Sequence, residues 1–364
     1  MSDAATAPRF PPHSDLRAEL VRRVDEYFRT HGLPKHGGRR IVLKSALSLL
    51  WLVGTYVALL FWTDSAWTAI PLAVSLGLAI AGVGFMIQHD GGHAAFARSP
   101  RGNRAAAWAL DLVGASSYVW HFKHVVVHHH ATNVNGADED IDGAPFLRLA
   151  PAQPRRWYHR FQHWYAWPLL TFLVPKWQFW DDFAALARGT IGRLRLPRPK
   201  GRDLVVFIAG KVAFAGWAFA LPLALGHSLG EVLGVYAIAM AVAGVWLSIV
   251  FQLAHCVEEA EFPDLPGRGE RMERPWVEHQ LATTVDFAPD SAFLTWYLGG
   301  LNFQVEHHLF PRISHVHYPA ISKIVRSTCE ERGIRHRSHR SVPTAIASHA
   351  RHLRKMGRPA AATA

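Results

Sequence analysis

The residues best equipped for chemistry in this chain are its histidines, 23 in 364 positions, ten of which gather in four places. "MIQHDGGHAAF" sets His89 and His93 four apart, a spacing that stacks both rings on one face of a helix. "HFKHVVVHHHATN" holds His121, His124, His128, His129 and His130, with the same spacing of four between His124 and His128. "FQLAHCVEEAEF" carries a single His255, and "GGLNFQVEHHLFP" carries His307 and His308 with Gln304 one turn earlier. Neutral imidazole is a ligand for iron, zinc, copper or nickel. Eight candidates (His89, His93, His124, His128, His129, His255, His307 and His308) exceed what one tetrahedral or octahedral ion takes, which points to two metals close together. Each group alone has an ordinary explanation, such as an incidental pair, a metal-sticky tract or an interfacial histidine. Their conjunction needs a common cause. With two cysteines, Cys256 and Cys329, a cysteine-based zinc or iron–sulfur site is excluded. Sparse carboxylates in the clusters set the pattern apart from di-iron bundles built on Glu and Glu-x-x-His.

The elements that must position these rings are apolar. Half the residues are hydrophobic, yet the net charge is +11, so apolar segments alternate with basic ones as in a membrane protein with a large water-facing part. Four stretches are long enough to cross a bilayer, at about 45–63, 66–88, 204–225 and 232–254. Short turns join them in pairs, predicting two transmembrane hairpins. All 39 Lys and Arg except Lys211 fall in three blocks, up to Lys44, from Arg98 to Arg202, and after His255. That asymmetry predicts that both termini and every histidine cluster are cytoplasmic. Lys211 interrupts the third span and is expected to snorkel to the nearer interface. Two shorter apolar segments, Ala105–Trp120 and Trp164–Trp180, contain Asp111 and Lys176 and read as interfacial or buried helices. The expected fold is therefore all-α and integral to the membrane, with four helices in two hairpins under a cytoplasmic helical cap that carries the metal site. Residues 1–43 form an N-terminal cytoplasmic segment without a signal peptide, containing an amphipathic helix near Asp15–His31. Residues 44–329 form the membrane domain, and 330–364 a basic, solvated tail.

Three of these stretches, "HDGGH", "HVVVHH" and "QVEHHLFP", resemble the three histidine boxes of membrane fatty-acyl desaturases, in the subgroup whose third box begins with Gln. The similarity continues through "FQLAHCVEEAEFP" and "HQLATTVDFA" and covers the chain from about Lys44 to Cys329. What the resemblance implies is a pair of non-haem iron ions with dioxygen as co-substrate and two electrons from an external donor. His89 and His93 would supply the first box, His124, His128 and His129 the second, His307 and His308 the third, and His255 a further ligand. Gln304 stands where many relatives have a ligand histidine; an amide is a poor iron ligand, so it is expected to orient a ligand or water. His121 and His130 are extra, flanking imidazoles whose contact with metal is doubtful. Asp140 and Asp142, in "ADEDID", could accept hydrogen bonds from ligand rings and set their tautomers. His315 and His317 are expected to pack near the site.

The implied substrate is a fatty-acyl chain carried on coenzyme A, acyl carrier protein or lipid. An unactivated methylene offers no acidic proton and no leaving group, so acid–base and nucleophilic chemistry cannot attack it, whereas metal-activated oxygen can. "PKHGGRR" only echoes the HPGG of family members fused to a haem domain. The electron donor is therefore expected to be a separate ferredoxin or cytochrome drawn to the basic face. Membrane lipid is the other partner; nucleic acid is not. A hydroxylase at the same centre is the nearest alternative. A membrane metal transporter is more remote, because its ligands belong near the bilayer midplane.

Overall fold

Residues 7–12, 14–267 and 269–359 are described by the structure, a computed structural model. Helix α1 (Asp15–Thr30) buries Leu16, Leu20, Val24 and Phe28, the stripe that a repeat of four apolar positions makes. Four helices then follow that are long and apolar enough to cross a membrane: α2 (Gly38–Phe61), α3 (Ala66–Gly92), α4 (Arg202–Ala224) and α5 (Leu229–His255). Their bounds differ from the hydropathy reading at the ends. Helix α2 starts earlier because Arg39, Arg40 and Lys44 ride on its first turns, and α3 runs on through His89. Hydropathy marks the apolar part of a helix and stops where its polar, functional turn begins. Ser228 and Glu231 fix the start of α5, the carboxylate accepting the Ser228 N–H at 2.8 Å.

Helix α3 is the central one. It is 61% buried, against 28% for α2 and 17% for α4, so the outer pair presents the larger apolar surface. Val42, Leu50, Val53, Val205 and Val212 are all exposed there, as side chains facing lipid would be. Where α3 meets α5, a Cβ on Gly77 would collide with the Ala239 backbone, so this glycine sets how closely the two helices approach.

Beyond the histidine ends of α3 and α5 lies a polar half built from short helices. It includes α6 (Trp276–Thr283), α7 (Gln304–Leu309), α8 (Tyr318–Glu331) and α9 (Val342–Met356). Leu16 and Leu20 of α1 share a core with Val277 and Leu281 of α6, Val305 of α7 and Ile321 and Val325 of α8. Two-residue strands add one parallel pair, Asp286–Phe287 with Ser338–His339, and one antiparallel pair, Thr190–Ile191 with Leu194–Arg195.

Two expectations change. The tail after Glu330 is docked instead of solvated: α9 buries Ala345, His349, His352 and Leu353. These fall on one helical face and the basic residues on the other, a pattern that net charge conceals. Lys211 does not snorkel to water. Its ammonium donates to Asp182 Oδ2 at 2.7 Å and to the carbonyls of Gly114 and Gln178 at 2.7 and 2.9 Å. The buried Asp182 on the neighbouring helical segment supplies its counter-charge inside the protein. The segments 105–120 and 164–180 are helical but broken, the first into short α pieces and the second into α, 3-10 and π pieces in succession. Asp111 in the first is buried, accepting the Ser117 N–H at 3.2 Å.

Candidate metal centre

Two local departures from α-helical winding aim the rings. Gly84–Gln88 at the end of α3 is a π-turn, and His89 N–H bonds back to the Gly84 carbonyl, five residues earlier. His121–His128 is a longer π-helix, in which His129 N–H reaches the His124 carbonyl at 3.1 Å. Wider winding lets residues five apart share a face. His124 and His129 therefore point the same way, while His128 stands beside them; regular α-geometry would splay them.

The eight predicted histidines converge. Ring nitrogens of His89, His93, His124 and His307 lie within 4.8 Å of one another, as do those of His128, His255 and His308. His129 bridges the two groups, its ring 4.5 Å from that of His93 and stacked 4.2 Å from that of His308. His89 Nε2 and His124 Nε2 face each other at 3.2 Å. All eight are buried, and they come from α3, the π-helix, α5 and α7. Gln304 lies against the second group, its amide nitrogen 2.9 Å from His255 Nε2 and 3.3 Å from His308 Nε2.

Polar partners behind the rings fix their orientation. His128 Nδ1 donates to Asp138 Oδ2 at 2.8 Å, and His308 Nδ1 donates to Gln280 Oε1 at 2.9 Å. Tyr318 Oη lies 3.1 Å from His307 Nδ1. Asp140 lies 3.6 Å from His124 Nδ1 and pairs with Lys123 at 2.9 Å. A hydrogen bond at Nδ1 fixes the tautomer and leaves Nε2 as a lone pair facing inward. Asn133 ties the layer together. With φ of 57°, its buried amide reaches the carbonyls of His255, Glu261 and Thr283 at 2.9, 3.2 and 3.3 Å.

Sequence reasoning placed some of these and missed others. Asp142 is exposed and accepts only the Ala144 N–H, so it supports no ring; Asp138, four residues earlier in the same acidic run, supports His128 instead. Along "ADEDID" nothing distinguishes the three aspartates, and a single 3-10 turn decides which one faces inward. Gln280 lies in "HQLATTVDFA", and Tyr318 directly follows His317, both places already singled out without a role for these two. His121 is exposed, and His130 Nε2 contacts the Pro8 carbonyl at 2.8 Å; both lie outside the convergence. His315 packs beside it, 3.0 Å from Asp90 and 2.7 Å from Lys44.

Burial and neighbouring imidazoles hold His93, His129, His307 and His308 well below their ordinary pKa, so they are neutral with lone pairs available. Burial alone would lower His128 too, but Asp138 and Asp140 carry it above its usual value. His93 Nε2, His128 Nε2, His307 Nε2 and both nitrogens of His129 are buried without a hydrogen-bond partner. Buried polar atoms are nearly always satisfied, and a cation between inward-facing lone pairs satisfies these together. The donor set fits metal.

Helices of membrane-crossing length that end in histidine clusters able to hold metal define the class first. A profile of the fatty acid desaturase family matches residues 65–340. The chain is 34% identical over 357 residues to the sn-1 linoleoyl-lipid 6-desaturase of Arthrospira platensis, covering 98% of this chain and 96% of that one. It is 34% identical to the enzyme of the same name from Synechocystis, over 96% of this chain and 98% of that one. Against the acyl-lipid (8-3)-desaturase of Physcomitrium patens it is 37% identical, over 95% of this chain and 72% of that one. The chain belongs to the fatty acid desaturase family.

Proposed function

We propose that this chain inserts a double bond into an acyl chain carried on a membrane lipid, using two iron ions and dioxygen. The observation that carries the reading is the convergence of eight buried histidines from four separate segments into two adjoining cages. His89, His93 and His124, with His307, would hold one ion; His128, His255 and His308 the other, with His129 between them. Iron bound there supplies the oxygen activation that removes hydrogen from an unactivated methylene. Overall, two neighbouring methylenes lose one hydrogen each, two electrons and two protons enter from outside, and one dioxygen leaves as two waters.

The residues of the chain do the rest. Asp138, Gln280 and Tyr318 hold ligand rings in one tautomer and one orientation, Asp140 adds its charge 3.6 Å behind His124, and burial keeps bulk water from the cages. The four helices pair as two hairpins through the short connections 62–65 and 225–228, and the polar half forms a cytoplasmic cap. The one-sided distribution of Lys and Arg supports this sidedness for the site and both termini. An acyl tail then reaches the cages from the lipid side while its polar end stays in water. The names of the relatives support a lipid-borne substrate, and the 6-desaturases among them support oxidation toward the carboxyl end.

Expression in a host of known lipid composition tests this. A new double bond located by mass spectrometry, with about two irons per purified chain, is the expected result. A gain of oxygen mass without a new double bond identifies a hydroxylase instead. Zinc alone with full activity overturns the iron assignment.

A further inference from the structure

One open groove in the polar half, with a volume of about 1210 Å³, runs between α9 and the segment that follows α5. Six basic side chains line it against four acidic ones. Two of the acids are paired, Glu258 with Arg351 at 2.5 Å and Glu261 with Arg274 and Arg337 at 2.6 and 2.7 Å, which leaves Asp264 and Glu273 against the four remaining bases Arg148, Arg354, Lys355 and Arg358. Arg148 turns its guanidinium to the carbonyls of Gln153 and Met356, at 2.7 and 2.6 Å, so its charge has no counter-ion there. Among the described residues Arg354, Lys355 and Arg358 form no ion pair. The wall formed by α9 is therefore a strip of uncompensated positive charge.

The floor of the groove is close to the cages. His279 lines it and donates from Nε2 to the Thr132 carbonyl at 2.9 Å. Thr132 Oγ1 lies 3.2 Å from His308 Nδ1, and Gln280, next to His279, accepts from that same nitrogen. Two residues separate the groove from a cage ring. The reaction needs two electrons from outside. A concave basic wall above a short bonded path suits a small protein that brings a redox centre close, and a flat bilayer surface cannot descend into it.

We propose that this groove seats an acidic one-electron carrier of the iron–sulfur ferredoxin kind, and that electrons pass from it through His279 and Thr132 to the His308 side of the cages. The proposal rests on the desaturase reading. Each docked carrier is oxidised by one electron; two in succession supply the pair that, with two protons and two substrate hydrogens, reduces dioxygen to water. Charge complementarity sets the encounter and the bonded path sets the transfer.

The test uses membranes containing the full chain, a reduced plant-type [2Fe–2S] ferredoxin, and dithionite-reduced methyl viologen as a reductant that needs no seat. Joint replacement Arg354→Glu and Lys355→Glu should weaken ferredoxin binding and lower the ratio of ferredoxin-driven to viologen-driven turnover by about tenfold. His279→Leu should lower that ratio while leaving ferredoxin binding intact. Raising salt on the native chain should lower it as well, a readout independent of any variant's folding. An unchanged ratio together with unchanged ferredoxin binding overturns the proposal. So does loss of binding to anionic vesicles with the ratio unchanged, which would assign the groove to the membrane. Absence of product from the native chain with viologen would instead strike the desaturase reading, while the binding measurement still reads the groove.

Discussion

Replacing Asp138 with Asn keeps the shape of the side chain and removes its charge. In the native chain Oδ2 accepts from His128 Nδ1 at 2.8 Å and from the Asn133 N–H at 2.9 Å, while Oδ1 accepts from the Asp140 N–H at 2.9 Å. Three donors converge on a carboxylate that is 4% exposed. An amide has one acceptor oxygen. If that oxygen stays with His128, the new NH2 faces the Asp140 N–H and two donors collide. If the NH2 turns to His128, the ring must accept at Nδ1 and carry its proton on Nε2, the atom that faces His255 and His308. Losing a charge-assisted hydrogen bond costs about 1.5–3 kcal/mol, equivalent to roughly 10- to 100-fold in metal affinity, the range seen when such supporting partners are removed. The assay is iron affinity of the purified chain by chelator competition, with the melting temperature as a folding control. Asp142→Asn serves as the comparison, because Asp142 is exposed and bonds only the Ala144 N–H at 3.0 Å. Native affinity in Asp138→Asn, or an equal loss in Asp142→Asn, would refute the reasoning.

Three other outcomes are expected. His121→Ala and His130→Ala should keep iron while His129→Ala loses it, by elemental analysis; equal loss in His130→Ala would break that division. Lys211→Met strands the buried Asp182 carboxylate and should cost roughly 3–5 kcal/mol in unfolding experiments in detergent, and adding Asp182→Asn should recover most of it. Burial raises Asp111 to about 6, against its ordinary 3.8, and its Oδ2 lacks a partner. A carboxyl raised on folding stabilises fully below its unfolded pKa and loses that contribution as pH rises through the folded value. Thermal stability should therefore fall between about pH 4 and pH 6 by up to roughly 3 kcal/mol, and Asp111→Asn should flatten that slope.

Much of this molecule is legible in its sequence because membrane-length apolar runs and clustered imidazoles are strong one-dimensional signals. The four long helices and the eight converging histidines follow from them. What stays hidden is decided by winding and by distant partners. No residue in "HFKHVVVHHH" announces a π-helix, yet that winding separates His124, His128 and His129 from His121 and His130. Asp138 differs from Asp142 only through a 3-10 turn. Lys211 looked like an interfacial cation because its partner Asp182 lies 29 positions away. Tail charge masked the buried face of α9, a pattern visible only at helical spacing.

The almost pure nitrogen lining of the cages has a consequence for how the chain acquires metal. Its rings are held in place by protein partners, and a set of imidazoles offers little geometric bias of its own. Imidazole donors rank divalent metals in the Irving–Williams order, with copper, nickel and zinc above ferrous iron. A chain of this kind cannot choose iron by affinity. With iron as the proposed metal, metallation is set by which ions the cell leaves free as the chain folds, and overexpression in zinc-rich medium should yield folded protein that carries zinc.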